Sequence, residues 1–157
     1  MKLFQIEEPD GSPSDANAPG AAIAIDASGT RAEVAFSIGG NATTLTDREG
    51  FEQVLQVPAM TAELRTWQAL FEGARIRAER ALARPVTHAV IVLAAQPDPR
   101  IALRLREAVQ QAGLETLQLT TAVELPADPT AAFAAAILAE DLAPRAEFAT
   151  PPQTDPG

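Results

Sequence analysis

The 157-residue chain has no cysteine, no tyrosine, one histidine and one tryptophan. Without cysteine there is no disulfide, no thiolate metal site and no cysteine nucleophile. His88 is the sole imidazole, which leaves little material for a zinc site or a histidine-based triad. Aromatic residues are 4% of a chain that is 46% hydrophobic, so alanine supplies much of the apolar share. A core of that kind must be built from small side chains packed closely. Positive charge is scarce as well. Twelve Lys and Arg face 21 Asp and Glu, and the net −9 opposes a nucleic-acid backbone and an anionic membrane surface alike. No apolar run reaches membrane length, and "MKLFQIEEPDG" lacks the basic start and apolar centre of a signal peptide. The expectation is a soluble cytoplasmic protein with no nucleic-acid and no membrane partner.

What is present suffices for one domain with its own core. The stretch "EEPDGSPSDANAPG" (7–20) is rich in Pro, Gly, Ser and Asp, which predicts a flexible leader over 1–19. "PRAEFATPPQTDPG" predicts a disordered, proline-rich tail over 144–157. The folded body is then 20–143.

Within that body "AAIAID" (21–26) alternates and ends on an aspartate, and "ASGT" turns the chain. "RAEVAFSI" (31–38) alternates again, with Ala32, Val34, Phe36 and Ile38 on one set of beats and Arg31, Glu33 and Ser37 on the other. "GGN" (39–41) makes a tight hairpin into "ATTLTD", and a third strand continues there or at "QVLQV" (53–57). The period then changes. Met60, Leu64, Trp67, Phe71, Ala74, Ala78 and Leu82 recur at helical spacing, with Pro58 before them and Pro85 after. Trp67 in that stripe reads as core. Gly73 either weakens the helix by about 1 kcal/mol or permits close packing.

"VTHAVIVLA" (86–94) is β-branched and nearly continuous, as in a strand covered on both faces, which makes His88 a packed or surface histidine. A second helix runs from about Asp98 to Ala112, stopped by Gly113. "LETLQL" (114–119) is another strand, and "DPTAAFAAAILAEDL" (128–142) a helix with Asp128 at its N-cap and Pro129 in its first position. The order βββαβαβα describes an α/β domain, a mixed five-stranded sheet flanked by helices. It is the ribonuclease-H-like plan, used also by each lobe of the actin-like ATPases.

"RPVTHAVIVLAA" (84–95), "LREAVQQAGLETLQL" (105–119) and "DPTAAFAAAIL" (128–138) together resemble the DnaK-type heat-shock chaperone ATPases. In that family a strand P-V-T-H-A-V leads to a helix ending A-G-L-E and then to E-P-T-A-A. "LFQIEEPDGSP" (3–13), "AIAIDASGTRAEVAFSIGG" (22–40) and "TLTDREG" (44–50) look like its HscA branch, which serves iron–sulfur cluster assembly. The resemblance covers most of 3–140. It implies a chain truncated to the first of two nucleotide-binding lobes, without the second phosphate loop, the adenosine site or the substrate-binding domain.

The resemblance also implies where a nucleotide would touch. The family's D-L-G-T-T-x-S hairpin is matched by "DASGTRA". Its small residues let backbone N–H groups approach phosphate oxygens, and its aspartate helps to hold hydrated magnesium. Asp26, Gly29 and Thr30 keep part of this. Ser28 puts a side chain where the family has glycine, and Ala32 loses a hydroxyl. Asp128 stands for the longer glutamate of E-P-T-A-A. The implied site is degenerate: Asp26, Ser28, Gly29, Thr30 and Asp128 contact ATP or ADP with magnesium weakly, with no catalytic residue and no resident metal or cofactor.

The leading expectation is a non-catalytic chaperone-like lobe that acts as a protein-interaction module in iron–sulfur assembly. Its exposed cleft face, around Asp26, Gly29 and Asp128, would be covered by a protein partner or by self-association. The alternative is an ATP-binding half-site completed by a second chain. A two-metal nuclease on the same fold would need Asp26 to converge with Glu72 or Glu79 and with Asp98, on an acidic surface that repels its substrate.

Overall fold

The computed structural model describes residues 20–45, 55–125 and 130–144. The expected leader, the tail from 145 onward and Asp128 lie outside the described residues. The elements are β1 (Ala21–Ala27), β2 (Glu33–Ile38), β3 (Asn41–Thr44), α1 (Leu64–Leu82), β4 (Val86–Leu93), α2 (Pro99–Gln111), β5 (Glu115–Thr121), a short 3-10 turn (Ala122–Glu124) and α3 (Ala131–Leu142). The five strands form one mixed sheet in the order β3-β2-β1-β4-β5. β2 pairs antiparallel with both β1 and β3, whereas β1–β4 and β4–β5 are parallel. β2 therefore runs against the other four strands. Gly20 to Ala143 makes one compact unit. None of the described helices is long and apolar enough to cross a membrane.

β1 and β4 form the centre of the sheet, and their composition explains why. Parallel strands joined through a helix are covered on both faces and need apolar residues at consecutive positions. "AAIAIDA" and "VTHAVIVL" supply them: Ile23, Ile25, Val90, Ile91, Val92 and Leu93 are all fully buried. The chain enters β1 where Ala21 N donates to Pro85 O (2.9 Å). A Cβ at Gly20 would stand 2.7 Å from Thr87 Cγ2, so a side chain there would collide with β4.

The two faces differ in side-chain size. On one face α1 and α2 pack Trp67, Phe71, Leu105 and Val109 against Ile23, Ile25, Val34 and Ile91. Trp67 and Phe71 contact at a centroid distance of 5.7 Å, tilted by 31°. Each large side chain buried here contributes about 1.5–3 kcal/mol. On the other face Ala132, Ala135, Ala136 and Ala139 of α3 meet Ala22, Ala24, Ala35, Val90 and Val92. Small side chains on both partners bring the helix close to the sheet, and dispersion replaces bulk there.

The structure decides several alternatives that the sequence left open and corrects other expectations. The α1 helix begins at Leu64, after Glu63, although the apolar period reaches back to Met60. Gly73 is a close-packing glycine: a Cβ there would meet Leu55 Cδ2 at 3.0 Å. The third strand lies at Asn41–Thr44, and among the described residues of "QVLQV" (55–57) Gln56 makes an isolated bridge to Arg31. Alternation fails in β2, where Ser37 is 3% exposed and Ile38 66% exposed. β2 sits between β1 and β3 with helices over both faces, so polarity no longer reports direction. The last helix starts at Ala131, with Thr130 Oγ1 accepting from Phe133 N (3.2 Å), so the cap is Thr130 rather than Asp128.

Glu140, near the end of α3, clamps the first hairpin. Gly39 and Gly40 take positive φ (60° and 84°), which turns their N–H groups outward together. The Glu140 carboxylate accepts from Gly39 N (2.6 Å), Gly40 N (3.0 Å) and Ser37 Oγ (2.8 Å). Three donors on one carboxylate tie the end of α3 to the tip of the β2–β3 hairpin. We expect Glu140→Ala to destabilise the fold by about 1–3 kcal/mol, because it orphans the hydroxyl of the buried Ser37 as well as two amides. The shift in urea midpoint at unchanged slope measures this.

Candidate functional site

The connection after β1 leaves toward β2, and the connection after β4 leaves toward β5. The carboxyl ends of β1 and β4 thus lie side by side where the chain departs in opposite directions. In open α/β sheets a crevice for ligands forms at such a point. Asp26 stands opposite Val92 and Ala27 opposite Leu93 at this end of the sheet. The N-termini of α2 and α3 follow β4 and β5 here too.

The turn after β1 is where the structure brings sequence-predicted residues together. Asp26 is half-buried, and its Oδ1 accepts from Ser28 N (3.0 Å) and Ser28 Oγ (2.6 Å). This is an aspartate bonding the backbone two residues on, a local turn-former. Gly29 and Thr30 are exposed beyond it. Thr30 O accepts from Val57 N (3.0 Å) and Ala32 N donates to Leu55 O (2.7 Å), so 55–57 braces the outer side of the turn. Arg31 is exposed. Gly29 has no left-handed φ, and a Cβ there would find only Arg31 O, at 3.9 Å. Nothing in the local backbone requires glycine at that position.

The carboxylates that a nuclease would need do not converge. Glu79 Oε2 accepts from Val86 N (3.0 Å) and Glu79 Oε1 pairs with Arg75 (3.1 Å). Val86 is at the start of β4 and Asp26 is opposite its far end, about 20 Å away at the rise of a strand. Glu72 accepts from Gln68 on α1, and Asp98 Oδ1 caps α2 by accepting from Ile101 N (2.8 Å). Among the described residues no group of three or more His, Asp or Glu is placed to hold a metal ion. His88 is packed: its Nδ1 lies 2.7 Å from Thr87 Oγ1 and its Nε2 3.1 Å from Glu115 Oε1.

A second feature was not anticipated from the sequence. Between α3 and β5 runs a groove of about 370 Å³, lined by Gln118 and Thr120 of β5, Leu125, and Ala134, Ile137 and Leu138 of α3, among others. Its sequence signal is the apolar character of α3 on all sides, more than one sheet face consumes.

No protein-family model matches the chain, and no curated protein matches it. The likeness to DnaK-type chaperones therefore rests on the quoted motifs alone.

The two kinds of glycine separate experimentally. Gly29→Ala is expected to leave stability within about 0.5 kcal/mol of the parent. Gly40→Ala, at φ 84°, is expected to lose about 1–2 kcal/mol. Thermal denaturation of the two variants side by side checks the pair.

Proposed function

We propose that residues 20–143 form a ribonuclease-H-like lobe of the actin-like ATPase plan that works as a non-catalytic protein-interaction module. Its setting is the cytoplasm and iron–sulfur cluster assembly. The strand order β3-β2-β1-β4-β5, with β2 reversed and helices divided two and one between the faces, supports the fold assignment. The functional part is supported by the motif string and by one observation at the turn.

That observation is the engagement of Asp26 by Ser28. A carboxylate that helps to hold hydrated magnesium must offer oxygens to metal-bound water. Here Oδ1 already takes two donors from Ser28, which leaves Oδ2 alone. In the family hairpin that this turn resembles, a glycine stands at the position of Ser28, and its lack of a side chain is what would let phosphate oxygens approach. These residues do not fit a tightly held magnesium nucleotide, and no hydrolytic step is derived through one. A phosphate chain resting on one exposed turn would moreover face water on its other sides, unlike ligands enclosed in a cleft.

The position of the turn favours a second reading. The carboxyl ends of β1 and β4 at a reversal of connection are a natural ligand crevice, and a second chain closing over them would complete an ATP-binding half-site.

Isothermal titration of the purified chain with ATP and with ADP, both with magnesium, separates the readings. We expect no saturable heat and no phosphate release from the chain alone. Heat that appears only when a second chain is added supports the half-site. Turnover by the chain alone that Asp26→Ala abolishes overturns the non-catalytic reading.

A further inference from the structure

One helix about 10 Å in diameter cannot cover a sheet of five strands, which is about 19 Å across. α3 packs over β1, β2, β3 and β4, and the groove opens where its cover ends, against edge strand β5. On the opposite face α2 packs on β5, so among the described helices the outer strand has its main cover on one side. Leu125, Ala134, Ile137 and Leu138 give the groove its apolar lining, and Gln118 and Thr120 of β5 line it as well. Val123, at 88% exposure, stands in the turn at one end of β5.

Among the described residues that line this strip the charges have one sign: Glu124 and Asp141 are there, and no Lys or Arg is. The described arginines lie elsewhere: Arg65, Arg75, Arg77 and Arg80 are on α1, Arg100, Arg104 and Arg106 on α2, and Arg31 and Arg84 in the connections before β2 and β4. A second copy presenting the same strip would set acid against acid. An added strand is a poor fit as well. The β4–β5 register skips Leu117 between Thr116 and Gln118, and such a bulge breaks the run of edge hydrogen bonds that an incoming strand needs.

We propose that this strip seats an amphipathic helix from a partner protein, with its apolar stripe against Ile137 and Leu138 and basic residues beside Glu124 and Asp141. Such a helix would lie next to α3 and complete the layer that α3 leaves unfinished. The proposal deepens the interaction-module reading by naming the kind of partner, and it is tested without nucleotide, so its failure leaves the question of ATP binding and turnover where the titration above puts it.

The probe is a helical peptide of about 15 residues with leucines at i, i+3, i+4 and i+7 spacing and lysines along both edges. Its control keeps the leucines and replaces every lysine by glutamate. Binding to the full chain is followed by fluorescence anisotropy. We expect the lysine peptide to bind and the glutamate peptide to bind at least about tenfold more weakly. Ile137→Asp should remove binding. Because Ile137 is half-buried and that variant can unfold, Gln118→Lys, on an exposed residue of the same strip, should weaken the lysine peptide in a chain whose circular dichroism is unchanged. Glu124→Lys combined with Asp141→Lys should reverse the order of the two peptides. Equal affinity for both peptides, no saturable binding of either, or binding indifferent to Gln118→Lys would overturn the proposal. So would a dimer in sedimentation that Gln118→Lys dissociates, since a second copy would then be the occupant.

Discussion

The parallel pairing of β1 with β4 is the contact on which the remaining structure depends. It joins segments more than sixty residues apart, and parallel strands cannot be joined by a tight turn. Everything between them must return the chain to its starting end: a hairpin that widens the sheet on one side, then α1 running back across one face. Both strands are buried on both faces, so each face needs a cover before the pair is stable. The choice of large side chains for the α1–α2 cover and alanine for the α3 cover follows from how closely each layer approaches.

Alanine packing brings α3 close but gives each contact little area. The Glu140 clamp compensates at one end of the helix, where a carboxylate gathers two hairpin amides and the Ser37 hydroxyl. Thr130 caps the other end. A weakly anchored apolar helix is thus held at both termini by polar contacts, while its flank toward β5 stays half-exposed. The groove on that flank is a consequence of covering five strands with one helix.

The same geometry governs the candidate site. Reversal of the connections at the ends of β1 and β4 sets Asp26 where ligands gather in open sheets. Ser28 draws the carboxylate into its own turn, so Asp26 acts there as a local turn-former. Position in the fold is set by strand order, whereas the groups free to act at that position are set by neighbours such as the Ser28 hydroxyl. Interaction surfaces need no such convergence of groups, only apolar area and a consistent charge at its rim.

Elements with a strong period were legible in the chain: the Trp67–Phe71–Ala74–Ala78 stripe, the continuous apolar run of β4, and the Asp98–Pro99 start of α2 each carry their own local cause. Boundaries were less so. Met60 keeps the helical period without joining the helix, and Thr130 caps α3 where Asp128-Pro129 offered an equally good local start. The end of β2 could not be read, since Ser37 is buried beside a carboxylate 103 residues away and Ile38 is left outside. For the site, the sequence indicated Asp26, Ser28, Gly29 and Thr30 as one turn, because they are neighbours in the chain. It could not show that Ser28 binds Asp26, that Glu79 lies at the far end of the sheet, or that α3 stops short of β5. By itself the sequence determined the local elements, the alanine-rich core and the excess of negative charge, all of which depend on nearest neighbours and composition. Tertiary structure alone decided which carboxylates are occupied and which apolar flank stays open, because both depend on the distance between residues far apart in the chain.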